Sequence, residues 1–197
     1  MSPNLVSEDV ARLARTIGPD RDDVLREMDR QADRDDFPTV GPEVGGWLAL
    51  LVRLVDAERV FEFGSGFGYS AYWMARELPA DGEVVLTEVD EAELTDARDY
   101  FDRGGLTDRA RFELGDAQEV FDAVDGEFDL VLVDHQKERY PEAFEALRDR
   151  VPSGGLVLAD NAVTAGHIDV ADVLAILEGD DRPDATDASA GVADYLE

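Results

Sequence analysis

Residues 59–70 read RVFEFGSGFGYS. A short apolar run, RVFEF, stops at glycine; Gly64, Gly66 and Gly68 alternate with Ser65 and Phe67; the stretch GYSAYWMARELP then runs on to a proline. The pattern is that of a strand turning directly into a helix. Glycines at such a turn permit unusual backbone angles and close approach of a ligand. The spacing is G-x-G-x-G, not the G-x-G-x-x-G that cradles a pyrophosphate. A tight turn that binds nothing is the plain alternative for the glycines alone. Glu62 is harder to dismiss. An acid inside an apolar strand is costly to bury without a partner, and a cationic or hydrogen-bonding ligand would supply one.

The same unit recurs downstream. EVVLTEVD is a second apolar run, followed by the helical stretch EAELTDARDYFDRGG. ARFELGD is a third, with a short helix around AQEVFDAV. FDLVLVDH is a fourth, followed by ERYPEAFEALRDRV, and GLVLADN is a fifth. Strands alternating with helices predict an α/β fold: a mostly parallel sheet, helices on both faces, and right-handed crossovers. Upstream, residues 1–57 read as a helical cap. SEDVARLARTIG carries a serine N-cap, PDRDDVLREMDRQADRDD is polar enough for a surface helix, and EVGGWLALLVRLVDA is apolar enough to pack on the core. The chain therefore reads as one domain, residues 1–197: cap 1–57, βα core 58–161, and a tail 162–197 holding an acidic loop and the opening of a last helix, GVADYLE.

Composition narrows the function. Forty-seven acidic residues stand against 18 basic ones, a net charge of −29, and Lys137 is the only lysine. Aspartate outnumbers glutamate, 29 to 18. This resembles the salt-adapted proteome of a halophile, a hydrated surface whose self-repulsion is screened at molar salt. Nucleic acid is not an expected partner, because no basic patch is present to neutralise phosphates. The absence of cysteine excludes disulfides, a thiolate nucleophile and a cysteine zinc site, and two histidines exclude a multi-histidine metal site. No signal peptide or long apolar span is visible, so the expected location is cytoplasmic, with no membrane partner.

Candidate site residues cluster at strand ends, where open α/β sheets bind ligands. Glu88 closes the second strand, where an acid accepts both hydroxyls of a ribose. Asp90 fits a helix N-cap better than a ligand contact; Asp116 reads equally as an N-cap and, with Ala117 and Gln118, as the place where an adenine edge would be read. Asp134 closes the fourth strand, and Asp160 with Asn161 closes the fifth. If those strands are neighbours, three oxygen ligands converge, a set suited to Mg²⁺ or another hard divalent cation. The alternative is unconnected loop residues in an aspartate-rich chain. Lys137, three residues beyond Asp134, folds back over the same pocket. A nearby cation would lower its pKa, and a lysine so poised takes a proton from a hydroxyl where an arginine stays protonated.

With these residues in place, the chain resembles the class I S-adenosylmethionine-dependent O-methyltransferases, more narrowly the metal-dependent catechol O-methyltransferases and their caffeoyl-coenzyme A relatives. FEFGSGFGYS is similar to the family's first cofactor motif, and LVDHQKERY with LADN to its metal and base motifs. The resemblance runs from about Val40 to Gly166. It implies a Rossmann-like methyltransferase fold, with S-adenosyl-L-methionine and Mg²⁺ as cofactors. The cofactor would be lined by Val40, Glu62, Gly64, Ser65, Gly66, Gly68, Tyr69, Ser70, Glu88, Asp116, Ala117, Gln118, Asp134 and His135. Gln136 stands where the family often has tryptophan. The metal would be held by Asp134, Asp160 and Asn161, and Lys137 would be the general base. The implied reaction moves a methyl group to a hydroxyl of a small catechol-like acceptor.

The family closes its sheet with two further strands, one antiparallel, which have no counterpart before the chain stops at GVADYLE; the expectation is that they are missing. A homodimer that covers the cap or the open sheet edge is compatible with this. Two other functions fit parts of the pattern. A nicotinamide-dependent oxidoreductase also wants a glycine turn and an acid after the second strand, but not Asp134, Lys137, Asp160 and Asn161 together. A non-catalytic S-adenosylmethionine-binding relative would accommodate the shortened end.

Overall fold

The computed structural model describes residues 19–160. The segment SEDVARLARTIG, Asn161, the acidic tail and the expected loss of the antiparallel strands lie outside the described residues.

Two helices precede the sheet. Helix α1, Asp23–Asp35, is capped by Asp22, whose carboxylate accepts from the Leu25 amide, and it buries only Leu25 and Met28. Helix α2, Gly41–Leu54, carries proline in its first turn and buries Gly45, Gly46, Leu48, Ala49 and Val52. The expected packing of α2 on the core is observed on one face only. Val44, Trp47, Leu50 and Leu54 are exposed on the other, an apolar stripe at helical spacing.

Then βα units follow in the expected order. Strand β1 is Arg59–Phe63, α3 is Tyr69–Ala75, β2 is Glu83–Glu88 and α4 is Glu91–Gly104. Strand β3 is Ala110–Leu114, α5 is Ala117–Ala123, β4 is Leu130–Val133, α6 is Tyr140–Leu147 and β5 is Leu156–Ala159. The sheet order is β3-β2-β1-β4-β5, and every described pairing is parallel. Buried on both faces, β1 and β4 are near-continuous apolar runs, as parallel strands require.

Strand alternation sends β1 side chains to two cores. Val60 joins one built from α1, α2, α3 and α4. Phe61 and Phe63 join the other, with Phe121, Phe128 and Tyr140 from the α5–α6 side. The chain leaves β1 toward β2 and β3 on one side, and returns to β4 and β5 on the other. The carboxyl ends of β1 and β4 therefore flank the point where strand order reverses, and a crevice opens there. Among the described residues no helix is long and apolar enough to cross a membrane.

Candidate active site

A cavity of about 560 Å3 opens over these strand ends. Its floor is the glycine turn. Gly64, Gly66 and Gly68 all have positive φ, which only glycine adopts without strain. A Cβ on Gly64 would lie 2.9 Å from the Asp134 carbonyl oxygen, and one on Gly66 would lie 2.6 Å from the Phe37 ring. The turn is held from β2. Thr87 Oγ1 donates to the Glu62 carbonyl at 2.6 Å and accepts from the Gly64 amide at 3.2 Å, and the Gly66 amide donates to Glu88 Oε2 at 2.9 Å. Gly68 faces away from the cavity: a Cβ there would meet Ala97, Leu86 and Phe101 of the core.

Glu62 also does not line the cavity. It is wholly buried behind Ser70, whose hydroxyl donates to Oε1, while Oε2 has no partner. Burial pushes its carboxyl up to about 8; the Ser70 bond opposes this, and the charges of Asp134 and Glu88 add to it. Glu62 itself presents no surface to the cavity, whereas Ser70, which it holds, does line it. Ser65 and Tyr69 line it as well, though the Tyr69 hydroxyl is committed to Asp29 of α1 at 2.6 Å.

Glu88 lines the cavity, but its carboxylate is already engaged. Oε1 accepts from the Val89 and Asp90 amides at 2.7 and 3.0 Å, and Oε2 from Gly66. The expectation that Glu88 takes both hydroxyls of a ribose is therefore modified: Oε2 keeps room for one, and a second requires the Val89–Asp90 turn to release Oε1. Asp90 fills its simpler role, capping α4. Asp116 is both things at once. It caps α5, and it stands on the cavity wall beside Ala117, paired with Arg139. That pair holds the Asp116 carboxyl down at about 2. Gln118 turns away, donating to Asp122 at 3.2 Å. Val40 lines the opposite wall, with Phe37.

At the other end of the cavity, β4 and β5 pair in parallel, so the expected neighbourhood of Asp134 and Asp160 is observed. Burial and the Asp160 charge push the Asp134 carboxyl up to about 6, against the opposing pull of Lys137. Two carboxylates crowded in this way are the electrostatic situation a bound cation relieves. Both are hard oxygen donors of the kind that suits Mg²⁺; Asn161, the third expected ligand, lies outside the described residues.

Lys137 lies on a 3-10 turn, Lys137–Arg139, that leads into α6. Its ammonium donates to Asp134 Oδ1 at 3.2 Å and to the Tyr140 hydroxyl at 2.6 Å. Burial lowers the lysine pKa, but the Tyr140 bond and the Asp134 charge outweigh it and raise it. The expected lowering therefore depends on a cation between the carboxylates; the carboxylates alone act the other way. Sequence reasoning missed Tyr140. Fully buried, it donates to the Asp160 carbonyl at 2.9 Å and stacks on His135 with centroids 5.5 Å apart. One phenol thus ties together Lys137, Asp160 and His135. Burial and neighbouring positive charge push the His135 imidazole down to about 4, so it is neutral at physiological pH, and its Nδ1 is buried without a partner. Gln136 lines the cavity with its side chain exposed.

Comparison with known proteins agrees with this geometry. The O-methyltransferase family profile matches residues 17–175. The chain belongs to the O-methyltransferase family. It is 36% identical over 135 residues to the catechol O-methyltransferase of Niastella koreensis, covering 66% of this chain and 61% of that protein. It is 27% identical over 164 residues to the caffeoyl-CoA O-methyltransferase of Pinus taeda, covering 79% and 63%. This O-methyltransferase chain thus spans about three fifths of the length of the curated relatives it matches. Its fold is similar to that of the O-methyltransferase TomG of Streptomyces achromogenes in complex with SAM, with TM-score 0.74 and 28% identity over 86% of this chain and 81% of that one. It is also similar to the Bacillus cereus O-methyltransferase in complex with SAH, with TM-score 0.70 and 25% identity over 86% and 82%. The Rossmann-like methyltransferase fold is therefore established, and nothing in these matches favours a nicotinamide-dependent oxidoreductase.

Proposed function

We propose that this chain transfers the methyl group of S-adenosylmethionine to a hydroxyl of a small vicinal-diol acceptor, with a divalent cation held by Asp134, Asp160 and Asn161. The observation that carries the reading is one cavity with two chemically different ends. At one end lie the glycine turn and Glu88 with one open acceptor site. At the other lie paired carboxylates and Lys137.

The residues fit the donor. Backbone amides and glycines at the β1–α3 turn allow the close approach an extended nucleoside ligand requires, and Glu88 Oε2 is an acceptor for one ribose hydroxyl. S-adenosylmethionine, when bound, supplies an electrophilic methyl carbon. A divalent cation, when bound, supplies Lewis acidity that lowers the pKa of two adjacent substrate oxygens. Lys137, which would have to be in its neutral amine form with its pKa lowered by that cation, would accept the proton from the acceptor hydroxyl, and Tyr140 orients its nitrogen. Val40, Phe37 and His135 exclude water from the walls. Much of the rate enhancement comes from holding the reactants in line.

Calorimetry with S-adenosylmethionine and with NAD⁺, each with and without Mg²⁺, tests the reading, followed by a methylation assay on a panel of catechols. Binding of S-adenosylmethionine and transfer that stops on chelation and returns with Mg²⁺ are expected. Binding without transfer in any catechol would instead favour a non-catalytic relative. Transfer indifferent to chelation would remove the metal from the proposal.

A further inference from the structure

We infer that Arg139 is a positioning residue for the nucleoside end of the donor pocket, acting through its ion pair with Asp116. The inference rests on the S-adenosylmethionine reading above and adds a residue to it.

Arg139 and Asp116 are 23 positions apart and come from different crossovers. Arg139 is the N-cap of α6, and Asp116 is the N-cap of α5. The guanidinium meets the carboxylate with two nitrogens, Nη1 on Oδ2 and Nη2 on Oδ1 at 3.0 Å. This is the two-point geometry in which Arg cannot be replaced by Lys. The pair is anchored on both sides. Arg139 Nε donates to Glu142 at 3.3 Å, and Asp116 Oδ1 also accepts from the Gln118 and Glu119 amides at 3.0 and 3.3 Å. Both residues, with Gly115 and Ala117, line the cavity.

Their position decides what they do. The loop after β3 is the part of the wall next to β2, whose terminal Glu88 is the ribose acceptor. Glu88 fixes this loop too, through its carbonyl, which accepts from the Gly115 amide at 2.9 Å. The loop after β4 carries Lys137 and the reaction end. The pair therefore joins the wall beside the nucleoside to the turn that carries the base. A helix staple alone would not need cavity-lining residues, because the α5 cap is already complete in Asp116 and the backbone amides it accepts.

The test is a double-mutant cycle read by calorimetry with S-adenosylmethionine, and with adenosine as a probe of one end. Asp116→Asn keeps a good helix cap and loses the charge. Loss of one charge-assisted, two-point contact corresponds to about 10-fold in Kd. Arg139→Ala and Asp116→Asn should each weaken both ligands by that factor. The double variant should be no weaker than the worse single one. Arg139→Lys should recover only part of the affinity, and the kinetic loss should fall on KM for the donor rather than on kcat. Additive losses would show that Arg139 does not act through Asp116 and would overturn the inference. So would unchanged Kd in both single variants, or a fall in melting temperature with affinity retained. A wild-type protein that binds no S-adenosylmethionine would overturn the donor reading itself, whatever the variants do.

Discussion

The Lys137 ammonium and the Tyr140 hydroxyl are 2.6 Å apart, and the same ammonium lies 4.9 Å above the Tyr140 ring. The Tyr140 hydroxyl in turn donates a hydrogen bond to the Asp160 carbonyl oxygen at 2.9 Å. The lysine is therefore positioned by a buried phenol that is itself anchored to the end of β5. This gives a graded expectation. Lys137→Arg keeps the charge but cannot accept a proton, and turnover should fall on the order of 100-fold or more while donor binding survives. Tyr140→Phe keeps the ring against His135 and loses both hydrogen bonds, so turnover should fall on the order of 10-fold, with a stability loss of about 1 kcal/mol. Single-turnover methylation, with donor affinity measured separately, checks both. Undiminished transfer by Lys137→Arg would remove it as the base.

Glu62 gives a pH signature. Burial raises its carboxyl in the folded chain to about 8, from an ordinary value of 4.5. A carboxyl raised in the folded state contributes stability that is fully present below the unfolded value and is lost as pH rises through the folded one. Wild-type stability should therefore decline between about pH 4.5 and pH 8 through this group. Glu62→Gln stays neutral throughout and should lose that part of the slope, becoming the more stable protein near pH 8. Urea unfolding of both proteins across this range measures the difference. Parallel pH profiles would show that Glu62 is ionised in the folded protein.

These two sites mark what was legible in the sequence. Asp134 and Lys137 share one turn, so a three-residue spacing was enough to bring them together. The five strands were equally visible, because buried parallel strands must be apolar on both faces. Strand order was not visible, since it depends on long-range register, and the pairing of Asp134 with Asp160 had to be conditional on it. Tyr140 was in plain view in DHQKERY, but an aromatic opening a helix reads as core, and it is core as well as site. The pair Arg139–Asp116 and the hydrogen bond from the Gly66 amide to Glu88 were out of reach. Both join residues more than twenty positions apart.

Packing of α2 against α3 makes a prediction in which two effects compete. Gly45 lies within α2, and a Cβ there would stand 2.3 Å from the indole Nε1 of Trp73, which is only 1% exposed. Gly→Ala in a helix interior normally gains about 0.5–1 kcal/mol. Overpacking a rigid, buried indole costs about 1–3 kcal/mol. The second effect should win, and Gly45→Ala should be destabilised by about 1–2 kcal/mol. Gly105, the C-cap of α4, is a contrasting site: its positive φ penalises alanine, but nothing lies within 4 Å of the added carbon. Thermal unfolding of Gly45→Ala with a Trp73→Leu background separates strain from propensity, because removing the indole should turn the loss toward a gain.

Surface charge sets the last expectation. With 47 acidic and 18 basic side chains, complete pairing would still leave 29 acids unmatched. Exposed pairs such as Arg103 with Glu27 and Arg21 with Asp29 weaken in salt, which would lower stability, but each contributes at most about 1 kcal/mol. Repulsion among the unmatched acids is relieved by salt, because the Debye length shrinks from about 10 Å at 0.1 M to about 3 Å at 1 M. The second effect involves more charges, so the melting temperature should rise with KCl between these concentrations at pH 7. It should rise much less near pH 4, at about the ordinary carboxylate pKa, where many of the acids are neutral. A melting temperature that falls with salt at pH 7 would mean that the ion pairs outweigh the repulsion; an equal rise at both pH values would assign the effect to salt acting on apolar burial rather than on charge.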